Sequence, residues 1–538
     1  MCPIIRGQCH AVLLFLVYAF DKITNFSNNL SDQCISHKKH SHLADHIFTE
    51  EEVVRILDKV VGKTLGQIDK NNVFDKTKEK PKITGIAGDV IEQSVFGYQA
   101  DTKQEADLLI DGRPVELKTT GLKKSSPKSK SKYALEAKEP MSITAVSVDK
   151  IGSQDNFYES TLWHKLEELL LVYYLYDSDK TVKASEYSNF SVQGYQFLIF
   201  SEEDKKVLEN DWKIVRDFVR NVEKNALDKS IEFPKISKLR TEMSYMDTAP
   251  KYPHPPRFRL TRSYVSTIVQ QHFGKEFKPL YPDKEFTSIE GLKNILEKLG
   301  KQFIGKSIKE IANELNVPMK LSKNGKVSKS ISSIVVANMF SKGAKKIEKI
   351  ALFNKFGIKS KTIVQTRSGG RTEDTKLLMV DFSEITDTTV QFEDSTLYSF
   401  FSEQKFLFSI FEEVNPDKYE SNVFKGFKLI SFEDKFIEDT VRLVWDRTRS
   451  LILDKKLELV IKKDKKGQPI LNKKGLIEEA PNFPKARECD VFLRGSGKDS
   501  TGKTFEINGL RMYPQFYWIK GSYLVKMLNQ IDFFRQII

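Results

Sequence analysis

The chain has 538 residues, 40% hydrophobic and 30% charged, with a formal net charge of +13. That length excludes one ordinary domain and predicts two or three soluble globular ones with cores of their own. The positive surplus favours a polyanionic partner, most simply nucleic acid, through counterion release and steering. The four cysteines, Cys2, Cys9, Cys34 and Cys489, form no C-x-x-C pair. No His/Cys cluster has the spacing of a zinc site, so free thiols in a cytoplasmic protein are expected.

Residues 1–48 look foreign to the remainder of the chain and read as a poorly structured N-terminal extension. Arg6 and the apolar run Ala11 to Phe20 have the outline of a signal peptide. They lack a small-residue cleavage site, and the run is too short to span a bilayer, so no membrane association is expected. His37, His40, His42 and His46 read as part of a polar tail. Gly62-Lys63-Thr64-Leu65 then reads as the entry to a helix. Further on, GDVIEQSVFGY predicts a helix over Asp89 to Phe96, stopped by Gly97, with Glu92 among apolar neighbours.

Residues 105–120, EADLLIDGRPVELKTT, are the most informative stretch. Two short apolar strands, Ala106 to Ile110 and Val115 to Thr119, flank Asp111-Gly112, a strong hairpin turn. Glu116 and Lys118 lie two apart and project from one face, and the hairpin can bring Asp107 beside them. Two carboxylates and an ammonium group are the minimum set for magnesium-assisted phosphodiester hydrolysis. Mg2+ is a hard ion that needs only one or two carboxylates, and a lysine can offset charge in the transition state. Beyond the hairpin, Lys123 to Lys132 (KKSSPKSKSK) predicts a mobile basic loop suited to phosphate contact. His164-Lys165-Leu166 opens an apolar stretch, KLEELLLVYYLY, read as a helix.

The chain is written twice. Gly62 to Ile68 is echoed by Gly305 to Ile311, Val115 to Thr119 by Ile358 to Thr362, and His164-Lys165-Leu166 by Gln404-Lys405-Phe406, which opens a second predicted helix. Phe197 to Val219 runs parallel to Phe427 to Arg449. Each half closes on an aromatic–basic segment, from Arg257 and from Gln515. A repeat near 240 residues is a domain duplication, and a solenoid has a far shorter period. Gly300 to Ser307 matches the P-loop expression, but helical spacing precedes it where a buried strand is required, so it is a helix entry. In the second copy Lys359 stands opposite Glu116 and Val336 opposite Glu92, while Lys361 and Lys405 keep positive charge. One half is expected to cut and the other only to bind.

The ordered set GKTLG, GDVIE, D-x(8)-E-x-K, HKL and RFRLTRSY resembles the MutH family, and the doubled layout resembles Sau-type GATC restriction endonucleases. The likeness runs from about residue 48 to 538. It implies an α/β fold of two tandem restriction-endonuclease-like domains, each a mixed sheet flanked by helices, with a degenerate second copy. The expected domains are 49–280, catalytic, and 281–538, DNA-binding and regulatory. By the resemblance Asp107, Glu116 and Lys118 are the catalytic triad, Asp107 and Glu116 hold Mg2+, and Glu92 and Lys165 complete the site. The gap from Asp107 to Glu116 is longer than the family pattern, which leaves Glu105 as a rival to Asp107. Lys123, Lys124, Arg257, Arg259 and Arg262 are the DNA-contact candidates, with Lys520 and Tyr523 for a second DNA site. The expected function is a type II restriction endonuclease acting on double-stranded GATC, with chains pairing on DNA. A mismatch-repair-type nickase and a non-catalytic DNA-binding sensor are the alternatives.

Overall fold

A computed structural model describes residues 46–81, 83–98, 106–124, 134–178, 182–249, 254–280, 288–321, 325–370, 373–464, 466–471, 475–497 and 500–531. The N-terminal extension before His46, Glu105 and the basic loop after Lys124 therefore lie outside the described residues. Two compact units divide the chain. One takes its described residues from Met1–Thr119, Glu168–Val172 and Ala184–Phe197, the other from Thr120–Glu167, Tyr173–Lys183 and Leu198–Ile538.

In the first unit β1 (Ile47–Phe48) pairs in parallel with β2 (Leu108–Ile110), so regular structure reaches back into the segment read as an extension. Helix α1 (Glu50–Asp58) starts at Thr49, whose capping box with Glu52 satisfies amides that a helix start leaves orphaned. Helix α2 (Leu65–Ile68) has the same device in Thr64 and Gln67. Helix α3 (Ile86–Val90) passes without a break into one π-helical stretch, Ile91–Phe96, ended by Gly97 at φ 85°. The predicted helix was thus found, one turn longer at its start and wound more loosely than expected. β2 returns as β3 (Arg113–Lys124) through Asp111 and Gly112, both at positive φ (47° and 76°), as a two-residue type I′ turn requires. The sheet runs β1-β2-β3-β6-β7, with β6 at Leu169–Leu175 and β7 at Val192–Leu198.

β6 corrects the sequence reading. The stretch after Lys165 is a central strand, and only Thr161–His164 before it is helical (α4). Leu169 to Tyr173 are all buried, so the strand is apolar on both faces and shows no alternation. A continuous apolar run does not distinguish strand from helix by period, and Val172, Tyr173 and Tyr174 were the better guide.

In the second unit the end of β3 pairs with β4 (Leu135–Ala137). β5 (Met141–Ala145) and β8 (Met246–Asp247) flank β9 (Arg257–Leu260) in a small antiparallel sheet. The long α5 (Glu202–Lys224) buries Val207, Leu208, Trp212, Val215 and Val219 along one stripe, and α6 (Arg262–His272) follows β9. Then come α7 (Ile289–Phe303), α8 (Ile308–Glu314), α9 (Ile331–Phe340) and α10 (Ala351–Lys355). β10 (Ile358–Gln365) pairs in parallel with β12 (Lys405–Glu412), which pairs antiparallel with β13 (Val423–Ile430). β12 is the second strand that the sequence reading took for a helix, for the same reason. β11 (Thr375–Met379), α11 (Thr396–Glu403), α12 (Arg442–Leu453), β14 (Val491–Gly495), β15 (Gln515–Ile519) and α13 (Gly521–Asn529) complete the frame. Ile363, Phe401, Phe406, Ile410, Trp445 and Leu524 share one buried core.

The duplication is visible bond by bond. Gly62 donates its amide to Val192 O and Leu65 to Phe190 O; Gly305 donates to Phe424 O and Ile308 to Asn422 O. Ser160 caps α4 and Ser395 caps α11. The order β5-β9-β8 recurs as β11-β15-β14, each followed by a helix, α6 or α13. Among the described residues the second copy shows no counterpart of β2, since α10 and not a strand precedes β10. β10, which the repeat aligns with β3, is therefore not the second arm of a hairpin. Gly300 lies inside α7 and Ser307 caps α8 with a capping box to Glu310, so the P-loop match is a helix–turn–helix entry. Among the described residues no helix is long and apolar enough to cross a membrane.

Candidate active site

Four of the five proposed catalytic residues come together in the first unit. Leu108 pairs with Val115, and one step further the register sets Asp107 beside Glu116. Asp107 lies just outside the strand that was expected to contain it, and its Oδ2 accepts the Leu117 amide at 2.9 Å. Lys118 Nζ lies 2.5 Å from Glu116 Oε1, 3.9 Å from Asp107 Oδ2 and 3.3 Å from the Leu117 carbonyl. Glu116 is 4% exposed. Its amide donates to Glu168 O at 3.0 Å, which fixes the strand where the carboxylate leaves it.

Glu92 reaches this group from the π-helical turn, a local widening that is often found at functional sites. Gly88, one turn earlier, faces Thr119 of β3, where an added Cβ would lie 3.5 Å from Oγ1, and 3.9 Å from Glu92 Oε1. Burial pushes the Glu92 carboxyl up to about 7. Asp107, Asp89 and Glu116 add to the rise, and Lys118 opposes it. Acids crowded this closely repel one another, and a cation relieves that repulsion. The donor set fits a hard divalent ion. Among the described residues no complete cage of three or more His, Cys, Asp or Glu ligands is formed, but magnesium keeps several waters and needs only one or two carboxylates.

Lys165, the fifth candidate, belongs to the second unit. It stands at the C-terminal end of α4, just before β6, with its side chain buried.

Sequence reasoning missed several residues around the pocket. His46, read as tail, donates from Nδ1 to the Asp107 carbonyl at 2.8 Å and stacks on Tyr98 at 4.1 Å between ring centres. Arg113 makes a forked contact with Glu168, at 2.9 and 2.8 Å, and reaches Glu50 at 3.2 Å. The only available signal was an arginine placed directly after a hairpin turn.

The basic candidates lie in the second unit. Lys123 and Lys138 sit over one ring, that of Tyr176, at 5.3 and 4.6 Å from its centre, and Lys124 pairs with Asp177 at 3.3 Å. Burial, with Lys138 and Arg262 nearby, lowers the Lys123 ammonium pKa. Arg257 is exposed on β9. Arg259 is committed to Asp247 by two bonds of 2.7 and 2.9 Å, and Arg262 donates to the Ala137 carbonyl at 2.9 Å. Lys520 stands at the start of α13, with Tyr523 in its first turn.

Among the described residues the second copy has no acids at the matching positions. Val336 is fully buried on α9, and Lys361 Nζ donates to the Lys376 carbonyl at 3.1 Å. Lys405 Nζ is buried and donates to the Met243 carbonyl at 2.9 Å. The two lysines expected to keep positive charge there each donate to a carbonyl oxygen.

Residues 96–211 match the family model described as DNA mismatch repair enzyme MutH. That span holds Asp107, Glu116, Lys118 and Lys165, and stops short of the arginines of β9. Over 520 residues, 90% of this chain and 99% of the relative, the sequence is 22% identical to the type II restriction enzyme Sau3AI of Staphylococcus aureus. With Asp107, Glu116 and Lys118 inside the matched span, residues 96–211 are MutH-like, and the chain resembles a Sau-type restriction endonuclease over nearly its whole length.

Proposed function

We propose that this protein is a type II restriction endonuclease that makes a magnesium-dependent double-strand break at GATC. The observation that carries the reading is the convergence of Asp107, Glu116 and Lys118 on adjoining strands, within the MutH-like span. Asp107 and Glu116 would hold Mg2+, which supplies polarisation of the scissile phosphate and a more acidic attacking water. Lys118 offers its ammonium to that water or to the charge growing on the phosphate. Glu92, held near neutral charge balance by burial, adjusts the total negative charge of the pocket.

The remaining parts follow from the same reading. The Lys123–Lys138 pair on Tyr176 would grip phosphate and the β9–α6 segment would face the bases, with Lys165 completing the catalytic set. The second half, without acids at the matching positions, would bind another copy of the site through the Lys520 region and stimulate the first. Two cuts are needed for one break, so chains would pair on DNA. A cytoplasmic location accords with such a substrate.

The test is incubation with magnesium and unmethylated plasmid, followed by mapping of the ends. Linear product cut at GATC is expected from the unaltered chain, and none from Asp107→Asn. Nicked circles alone would favour the mismatch-repair-type nickase. Binding without any cutting would favour the sensor, and ends at another sequence would defeat the GATC assignment.

A further inference from the structure

Lys405 is a buried lysine in a half that has lost its acids. It opens β12 at the position that the repeat aligns with Lys165, and it is 6% exposed. Its ammonium is not aimed at a pocket of its own half. It donates to the carbonyl of Met243, at the start of the segment that runs into β8.

That segment is held from the other side by an acid. Asp211, fully buried on α5, accepts the amide of Ser244 at 2.7 Å on Oδ1, and those of Tyr245 and Met246 at 2.7 and 2.9 Å on Oδ2. Three consecutive amides and the preceding carbonyl are thus fixed between a carboxylate of the first half and an ammonium of the second. Such bonds to charged groups are stronger than neutral ones, and a buried charge left without its partner is costly. The repeat does not explain the arrangement, because the aligned position for Asp211 is Val441.

The next residue in the chain is Asp247, which holds Arg259 by its two-pronged contact and pairs with it across β8 and β9. Glu403, two residues before Lys405, lies close enough to Arg259 and Arg262 for its charge to act on both. Burial pushes its carboxyl up to about 7, Asp247 adds to the rise, and Arg262 and Arg259 oppose it. Lys355 on α10 meets Asp204 on α5 at 2.6 and 2.8 Å, and Arg240 meets Asp434 at 2.6 Å. The segment that leads into β8, the strand paired with the one that carries the exposed Arg257, therefore takes a bond from the second half.

We infer that Lys405 is a positioning residue that sets β9 and its arginines in the orientation needed to engage DNA. The position that corresponds to a catalytic lysine has become a bolt across the two halves. This rests on the reading of β9 and α6 as the DNA side. The chemistry of the Asp107 pocket is separate from it, so the effect falls on binding and spares the rate of the bound complex.

The experiment compares the unaltered chain with Lys405→Met, Lys405→Arg and Lys405→Gln. Affinity for a labelled GATC duplex is read by anisotropy without metal, and KM and kcat are read by cleavage with magnesium. For Lys405→Met, Kd and KM are expected to rise about tenfold while kcat stays within about twofold. Lys405→Arg is expected to recover most of the affinity. Amide hydrogen exchange in peptides covering Ser244 to Met246 should quicken in Lys405→Met, with α5 peptides unchanged. If Lys405→Met does not fold, Lys405→Gln, which removes the charge but can still donate to the Met243 carbonyl, is expected to raise Kd in the same direction by a smaller factor. Unchanged Kd and exchange, or a loss of kcat alone, would overturn the inference. An unaltered chain that binds but does not cut would overturn the proposed function and leave the affinity comparison in force. A chain that neither binds nor cuts would overturn both.

Discussion

Glu116 illustrates how little freedom the pocket leaves a single residue. Its carboxylate is almost wholly buried, touches Lys118, and shares the site with Asp107 and Glu92. Glu116→Gln keeps the size but removes the charge that a divalent ion needs. Loss of about 4 kcal/mol of transition-state stabilisation is predicted, about a thousandfold in kcat, read by single-turnover cleavage. A variant as fast as the parent would end the catalytic assignment. Lys405 supplies a prediction with a pH sign. Burial lowers its ammonium pKa to about 8, so between pH 8 and the ordinary lysine range the unfolded chain holds a proton that the folded chain has lost. Stability from this group accordingly rises with pH across that window, by about 1–3 kcal/mol. In Lys405→Met that contribution should vanish, which urea unfolding of both proteins at pH 8 and 10 would show. Equal slopes for the two proteins would contradict the buried environment.

Single elements carry their own constraints. The hairpin of β2 and β3 was legible because Asp111-Gly112 between alternating strands has few other outcomes. The capping boxes at Thr64 and Ser307 were legible as helix entries, since a hydroxyl and an acid or amide three residues on satisfy orphaned amides reciprocally. β6 and β12 were not legible. Both are buried on two faces, and a continuous apolar run has no period that separates strand from helix. The turn between α10 and β10 is a place where an element tolerates no side chain. Gly357 has φ 65°, and an added Cβ would lie 2.7 Å from Ser263 Oγ. Gly357→Ala is predicted to destabilise by about 1–3 kcal/mol, visible as a lower urea midpoint. A midpoint unchanged from the parent would show that α6 can shift away without penalty.

At the scale of the molecule, the sequence divides near residue 280, whereas the compact units divide elsewhere. Residues 120–167, 173–183 and 198–280 group with the second half, and Lys355, Lys405 and Asp434 supply partners to Asp204, Met243 and Arg240. A chain ended at residue 280 is therefore predicted to lack cooperative unfolding and to aggregate, because Met243, Tyr245 and Tyr264 lose their cover. A soluble fragment with a sharp thermal transition would show that the first half is self-sufficient. The net charge of +13 bears on binding to the duplex. Affinity should fall about a thousandfold or more between 50 and 200 mM salt if several phosphates are contacted. Insensitivity to salt would remove the electrostatic part of the proposal.

The sequence by itself determined the doubled layout, the hairpin turn, and the carboxylate and lysine spacing on which the proposed chemistry rests. Each is a local pattern in which period, turn residues or caps leave few conformations. Only the tertiary structure decided that Glu92 arrives on a widened helical turn, that His46 buttresses Asp107, and that Arg259 is already bound to Asp247. It alone turned Lys405 from a spare charge into a tie to Met243. These depend on which distant segments share a buried space, where charges must find partners, and no local pattern specifies that choice.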